Sequence, residues 1–259
     1  MKDKTAWVAG ASRGIGFAVA EELAREGARI GLGARDEPGL KQALARIAQS
    51  TGRQGFAGAL DMSRPESIRA WAAACRQSLG PAEILFINSG GPPAGLFDDL
   101  DDRQWRAAAD LLLHGAVALT REVLPDMKSR RWGRILCLSS VSVRQPIERL
   151  MLSNALRAAV QGFARSLANE LGGSGVTVNC LAPGYTRTER LIELAAGQAR
   201  AQGVSPAEIE QGWIASIPLG RLAEPREIAA AAAFLASERA AYITGQLITV
   251  DGGWARSFS

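Results

Sequence analysis

The feature that most limits what this 259-residue chain can become is its alternation between two periodicities. Short apolar or β-branched runs begin near Thr5, Arg29, Gln54, Glu83, Arg134, Val176 and Gln246. Between them lie longer stretches with helical spacing: Gly14–Glu26, Pro38–Ser50, Pro65–Leu79, Asp102–Arg130, Leu150–Leu171 and Pro225–Ala236. A strand, a helix and a further strand close a right-handed crossover, and repetition of that unit builds a parallel sheet covered on both faces. The expected fold is therefore α/β, a single-domain Rossmann-type doubly wound parallel sheet of about seven strands with helices on both faces. No repeat or low-complexity linker divides residues 1–259, so we read them as one domain. One segment, 185–218, breaks the rhythm with short amphipathic helical patterns separated by Gly197, Gly203 and Gly212. Ligands of open α/β sheets bind beyond the carboxyl ends of the strands. An insertion after the sixth strand is expected there as a substrate lid, the alternative being a packed surface excursion.

The stretch Val8-Ala9-Gly10-Ala11-Ser12-Arg13-Gly14-Ile15-Gly16 follows the first strand and opens the first helix. Gly10 permits a sharp turn, while Gly14 and Gly16 let backbone approach a pyrophosphate and let the helix pack on the sheet. The free N–H groups of Ser12, Arg13 and Ile15 at a helix start suit phosphate. An acidic residue about 20 residues on would hold the ribose 2′-hydroxyl of NAD. The second strand instead ends Gly33-Ala34-Arg35. Arg35 and Arg13 can flank a 2′-phosphate with planar guanidinium groups, so NADP(H) is expected ahead of NAD(H).

Composition narrows the function classes. Hydrophobic residues at 47% and charged residues at 22% describe an ordinary globular chain. The net charge of +4 is spread along the sequence. Its densest cluster, Lys128 to Arg134, falls at a helix-to-strand turn, so no nucleic-acid partner is expected. Cys75, Cys137 and Cys180 are widely spaced and form no metal-ligand pattern, so no metal is expected and a reducing cytoplasm is the expected location. The opening MKDKTAWVAGAS enters a strand at once, with no leader expected. No apolar run approaches the length of a membrane span, so no membrane partner is expected.

These residues make the chain resemble the short-chain dehydrogenase/reductases, and most closely the 3-oxoacyl-acyl-carrier-protein reductases, over essentially its whole length. The landmarks are Gly10–Gly16, Asp61-Met62 after the third strand and Asn88-Ser89-Gly90-Gly91 after the fourth. Pro183-Gly184 with Thr188 follows the sixth, and Ile243-Thr244-Gly245 leads to Asp251-Gly252-Gly253. The resemblance implies that Asp61 and Met62 meet the adenine, that Asn88 and Gly90 line the cofactor floor, and that Pro183, Gly184 and Thr188 meet the carboxamide or phosphates. It also implies a homo-oligomer, a tetramer or dimer built from the fourth and fifth helices and the last strand.

The resemblance implies a catalytic set of Asn, Ser, Tyr and Lys, and here the chain departs from it. The Ser position is Ser140, but Leu112, Ser153 and Arg157 stand at the Asn, Tyr and Lys positions. A phenol beside a Lys cation is a usable general acid, whereas the serine hydroxyl is shorter and far less acidic. Arg157 can bond a ribose but cannot pass a proton onward. Tyr185 is the best-placed substitute acid, or else it packs against the lid; Glu148 is a weaker one, and His114 points to a structural or interface role. Ser140, Ser153 and Arg157, joined by Arg144 and Arg149, would suit an anionic group, unless those two arginines face solvent. Two functions follow. One is an atypical NADP(H)-dependent oxidoreductase of a small carbonyl or hydroxyl substrate, a 3-oxoacyl group among the candidates, turning over slowly or with altered chemistry. The other is a catalytically silent NADP(H) sensor or assembly partner.

Overall fold

The computed structural model describes residues 1–256. Seven strands form one sheet in the order β3-β2-β1-β4-β5-β6-β7, every neighbouring pair parallel. They are β1 (Thr5–Ala9), β2 (Arg29–Ala34), β3 (Gly55–Ala59), β4 (Ile84–Ile87), β5 (Gly133–Leu138), β6 (Val176–Pro183) and β7 (Leu247–Val250). Each begins within a residue or two of the position expected from its apolar run. Residues along a strand face alternate sides, and the core divides accordingly. Trp7, Ile135 and Cys137 join one layer, while Val8, Leu136 and Leu181 join the other.

The first layer is covered by α3 (Pro65–Leu79), α5 (Gly115–Arg130) and α6 (Met151–Glu170). The second is covered by α1 (Gly14–Arg25), α2 (Glu37–Thr51) and α9 (Pro225–Ala236). The helices α1 and α9 lie against each other, and both place alanines in this layer, Ala20 and Ala24 from one and Ala229, Ala232 and Ala233 from the other. No helix among the described residues is long and apolar enough to cross a membrane. Because β1 pairs with both β2 and β4, the chain reverses its direction of travel across the sheet at β1. The crevice at that switch point is where such sheets bind ligands.

Two details depart from the sequence expectation. The helix expected over Asp102–Arg130 is α4 (Asp102–Ala109) and α5 joined by a π turn at Asp110–His114. The extra residue in that turn rotates Leu112 into the interior, where it is buried. In 185–218, two full helices form, α7 (Glu189–Gln202) and α8 (Pro206–Ser216). Of the three glycines only Gly203, at φ +70°, lies between them, with Val204 and Ser205; Gly197 and Gly212 lie inside them. A capping Thr188 and the Ser205–Glu208 capping box start the two helices firmly enough to carry an internal glycine, which costs about 1 kcal/mol each. Leu191, Ala195, Ile209, Trp213 and Ile217 give the pair a small core of its own.

Leu119 is fully buried in α5 against β4 and β5. Leu119→Ala should lower unfolding stability by about 2–5 kcal/mol through lost burial and an unfilled cavity. Urea denaturation should show a lower midpoint with an unchanged slope.

Candidate active site

The carboxyl ends of β1 to β6 open into a cleft of about 660 Å³. Its phosphate end is set by close backbone packing. Gly10 has φ +63°, and a Cβ there would lie 2.5 Å from the Asn88 carbonyl oxygen. A Cβ on Gly16 would lie 2.1 Å from the Gly10 carbonyl oxygen, so neither position accepts a larger residue without moving the turn. Asn88 ties the β1 and β4 ends together: its Nδ2 donates to the Gly10 carbonyl at 3.0 Å, and its Oδ1 accepts from Gly90 N at 3.3 Å. The first turn of α1 holds no acid, and no side chain caps its N–H groups. Those groups face the cleft beside Ser12, Arg13, Gly14 and Ile15, while Gly16 sits beneath as packing.

At the β2 end, Arg13 and Arg35 both line the cleft and are exposed, with Ala34 between them in the wall. Asp36 also lines it, a residue the sequence reading passed over because it is two places beyond Ala34, where the acid was expected. Its Oδ1 accepts from Gly39 N at 3.0 Å, so the carboxylate is engaged in starting α2. Met62 lines the cleft, but Asp61 does not. The Asp61 carboxylate turns instead to Ser63, accepting from its N–H at 2.9 Å and its hydroxyl at 2.7 Å. Burial pushes this carboxyl up, but the Ser63 bonds and the charges of Arg35 and Arg64 outweigh that and hold it below the usual range.

The opposite end holds Ser140, Ser153 and Arg157 together, as the sequence spacing anticipates. Ser140 ends the β5 extension, and its Oγ accepts from Ser142 N at 3.1 Å. Ser153 lies in the first turn of α6, and its Oγ accepts from Arg157 Nε at 3.2 Å. With an acceptor site filled on each oxygen, each hydroxyl hydrogen remains free for the cleft. Arg157 is buried and makes three further bonds. Nη1 donates to the Leu138 and Ser139 carbonyls at 2.7 and 3.2 Å, and Nη2 to the Gly90 carbonyl at 2.8 Å. Burial and the nearby Arg190 charge push its guanidinium down to about 10, so it stays cationic at neutral pH.

The remaining candidates lie elsewhere. Tyr185 does not line the cleft. Its ring stacks on Trp213 at 5.0 Å and meets Trp254 edge-on at 5.6 Å, beneath α7 and α8. Burial raises its phenol above the ordinary value, the wrong direction for a general acid. This corrects its assignment as a substitute catalytic group: aromatic packing claims the ring. Glu148 is exposed outside the cleft. Arg149 turns to Asp99 at 3.2 Å, and Arg144 leans toward the Leu247 carbonyl at 3.5 Å, so neither joins the serines. His114 is exposed and bonded to Asp110 one turn back at 2.8 Å. Pro183, Gly184 and Thr188 line the cleft as anticipated. Thr188 Oγ1 also caps α7, accepting from Leu191 N at 3.4 Å. The sequence reading missed Arg190 in the first turn of α7 and Glu193 one turn into it, both in the cleft wall. Only the start of α7 at Glu189 decides which of its side chains face inward. No cluster of metal ligands occurs among the described residues.

Comparison with known proteins fits this geometry. The family model described as enoyl-(acyl carrier protein) reductase matches residues 10–255. The 3-oxoacyl-[acyl-carrier-protein] reductases FabG of Pseudomonas aeruginosa and Vibrio cholerae are 35% and 37% identical over 253 residues, covering 98% of this chain and 98% of each relative. L-Sorbose reductase from Gluconobacter frateurii, solved with NADPH and L-sorbose, has a TM-score of 0.94 at 33% identity, covering 100% of this chain and 98% of that one. An actinorhodin polyketide ketoreductase variant solved with NADPH has a TM-score of 0.95 at 30% identity, covering 99% and 100%. The chain belongs to the short-chain dehydrogenase/reductase family.

Arg157→Met should strand the Gly90, Leu138 and Ser139 carbonyls and cost about 3–5 kcal/mol, as when one partner of a buried charged network is removed. Ser153→Ala frees a single Nε at the edge of the cleft and should cost about 1 kcal/mol or less. Comparing the two variants by urea denaturation checks the ranking.

Proposed function

We propose that this protein is an NADP(H)-dependent oxidoreductase that interconverts a carbonyl and a hydroxyl on a small substrate, slowly and without a side-chain general acid. The carrying observation is the pair of serine hydroxyls, Ser140 and Ser153, that line the cleft with each oxygen accepting one hydrogen bond from the protein. The glycine cradle, which any Cβ on Gly10 or Gly16 would fill, fits a pyrophosphate, and Arg13 with Arg35 fits a 2′-phosphate. The Gluconobacter and actinorhodin relatives solved with NADPH support the choice of NADP(H) over NAD(H). When bound, the nicotinamide supplies the hydride that reduces the carbonyl carbon.

The chain itself does the rest. Ser140 and Ser153 donate hydrogen bonds to the carbonyl oxygen and hold it in place as negative charge develops there. Arg157 adds a fixed positive field from behind Ser153 and orients that hydroxyl through its Nε. Neither serine is acidic enough to give up its proton at neutral pH, so a water molecule delivers the proton to the oxygen and hydroxide leaves. Losing a positioned general acid costs about 10²–10⁴ in rate. The α7–α8 pair serves as a substrate lid, excluding bulk water. The substrate is a ketone, and 3-oxoacyl groups remain in the class by likeness to the FabG relatives. Copies of the chain assemble into a dimer or tetramer.

A second reading, a silent NADP(H) sensor or assembly partner, is favoured by one observation. Arg157 directs four hydrogen bonds to Ser153 and three backbone carbonyls, which makes it a structural tie. NADPH binding by fluorescence, paired with NADPH consumption across ketones, β-ketoacyl thioesters and quinones, separates the two. We expect binding together with slow consumption on at least one ketone. The triple variant Leu112→Asn, Ser153→Tyr, Arg157→Lys should raise that rate by about 10²-fold or more. Binding with no consumption by either protein supports the sensor reading, and no binding sinks both.

A further inference from the structure

We propose that Arg190 is the anion-recognition residue of the cleft and that the preferred substrate is an oxo acid, a ketone carrying a carboxylate. This rests on the carbonyl-reductase reading above and narrows its substrate class. Arg190 lies in the first turn of α7 and lines the cleft at the end that holds Ser140 and Ser153. Its Nη2 crosses to the opposite wall and donates to the Pro92 carbonyl at 2.7 Å. A Cβ built on Gly91 would meet its Nε at 3.1 Å and its Nη2 at 3.3 Å, so the guanidinium lies against Gly91 and depends on the missing side chain there. One fixed hydrogen bond therefore aims the group and leaves one edge of the fork, the second Nη2 hydrogen with Nη1 or Nε, to a ligand. That arrangement suits bidentate capture of a carboxylate.

The internal competitor is weak. Glu193 Oε2 lies 3.5 Å from Nη1, and both side chains are partly exposed, a pair worth little. Arg157, the neighbouring cation, is already occupied by backbone carbonyls and supports the positive potential without competing for the ligand. The cleft that Arg190 lines also carries Leu111, Leu150, Leu191 and Leu194 in its wall. The cleft thus offers two hydroxyl donors for one oxygen and a guanidinium for a second, charged group. An uncharged ketone uses only the first. A cofactor phosphate presents the same oxyanion chemistry, and the test separates it.

The experiment compares acetoacetate with methyl acetoacetate as NADPH-dependent substrates, with NADPH affinity measured in parallel. The wild-type protein should favour the acid in kcat/KM. In Arg190→Gln the acid-to-ester ratio should fall by roughly 10- to 100-fold, the value of a charge-assisted pair, and Arg190→Lys should restore part of it. Glu193→Gln, which removes the competitor, should raise the ratio. Equal ratios in the wild-type and Arg190→Gln proteins overturn the proposal. A matching rise in the NADPH Kd with an unchanged ratio also overturns it and assigns Arg190 to a cofactor phosphate. If neither compound is reduced, the reductase reading fails and the Arg190 assignment is read separately, by calorimetry of 3-hydroxybutyrate and its methyl ester on the NADP⁺-loaded protein. Acid-selective binding that Arg190→Gln abolishes supports the assignment; no selectivity, or no binding, ends it.

Discussion

Three backbone carbonyls converge beneath the cleft, from Gly90, Leu138 and Ser139, and the guanidinium of Arg157 satisfies all of them. Parallel strands end in carbonyls that no neighbouring strand can pair, and buried oxygens left alone are costly. A cation on the first helical turns of α6 meets that need for β5 and for the loop after β4 at once. The planar fork of arginine reaches several acceptors in fixed directions, which a point-like ammonium does less well. The same side chain then fixes Ser153 through Nε. Position and orientation of the catalytic end follow from one buried charge.

That dependence sets the chemistry. A group tied to three carbonyls and kept cationic at neutral pH is a poor shuttle for protons but a stable source of field. The site separates two jobs that a phenol beside a lysine would join: holding the carbonyl oxygen and protonating it. In the proposed reaction Ser140 and Ser153 do the first, since each oxygen accepts one hydrogen bond from the protein and keeps its hydroxyl proton as a donor. The second, in the proposed reaction, passes to water. The barrier penalty of roughly 3–5 kcal/mol for a missing acid slows such a site without silencing it, since proximity and oriented donors remain.

Where local chemistry decided the structure, the sequence was readable. The seven strands and the glycine turn follow from apolar runs and from positions where only glycine fits, and the Ser153–Arg157 pair from i,i+4 spacing on α6, while Ser140 came from the family resemblance. Contacts made at long range were not readable. Tyr185 stands next to Pro183-Gly184 in sequence, but Trp213 and Trp254 reach it from 28 and 69 residues away and take its ring out of the cleft. Asp61 was expected at the adenine, yet a serine two residues on captured its carboxylate. Gly197 and Gly212 looked like breaks because propensity weighs glycine by itself, while the caps at Thr188 and Ser205 set the helix ends. Arg190 became visible only when the start of α7 fixed which residues face inward.

The π turn at Asp110–His114 carries a further lesson about what shapes such a site. An extra residue in a helical turn is a defect that must be stabilised by its surroundings. Here the residue it turns inward is Leu112, which has no polar atom to offer a ligand or a water molecule. Packing is what remains to hold it. Leu111 and Leu113 flank it against the layer that includes Met62, and Gly115, where a Cβ would lie 2.3 Å from the Met62 carbonyl oxygen, lets the helix pass close to the β3 end. The backbone of this wall is thus dictated by steric fit with the β3–α3 connection and is indifferent to the chemistry of position 112. A wall built this way keeps its dimensions through packing alone, whatever side chain position 112 offers.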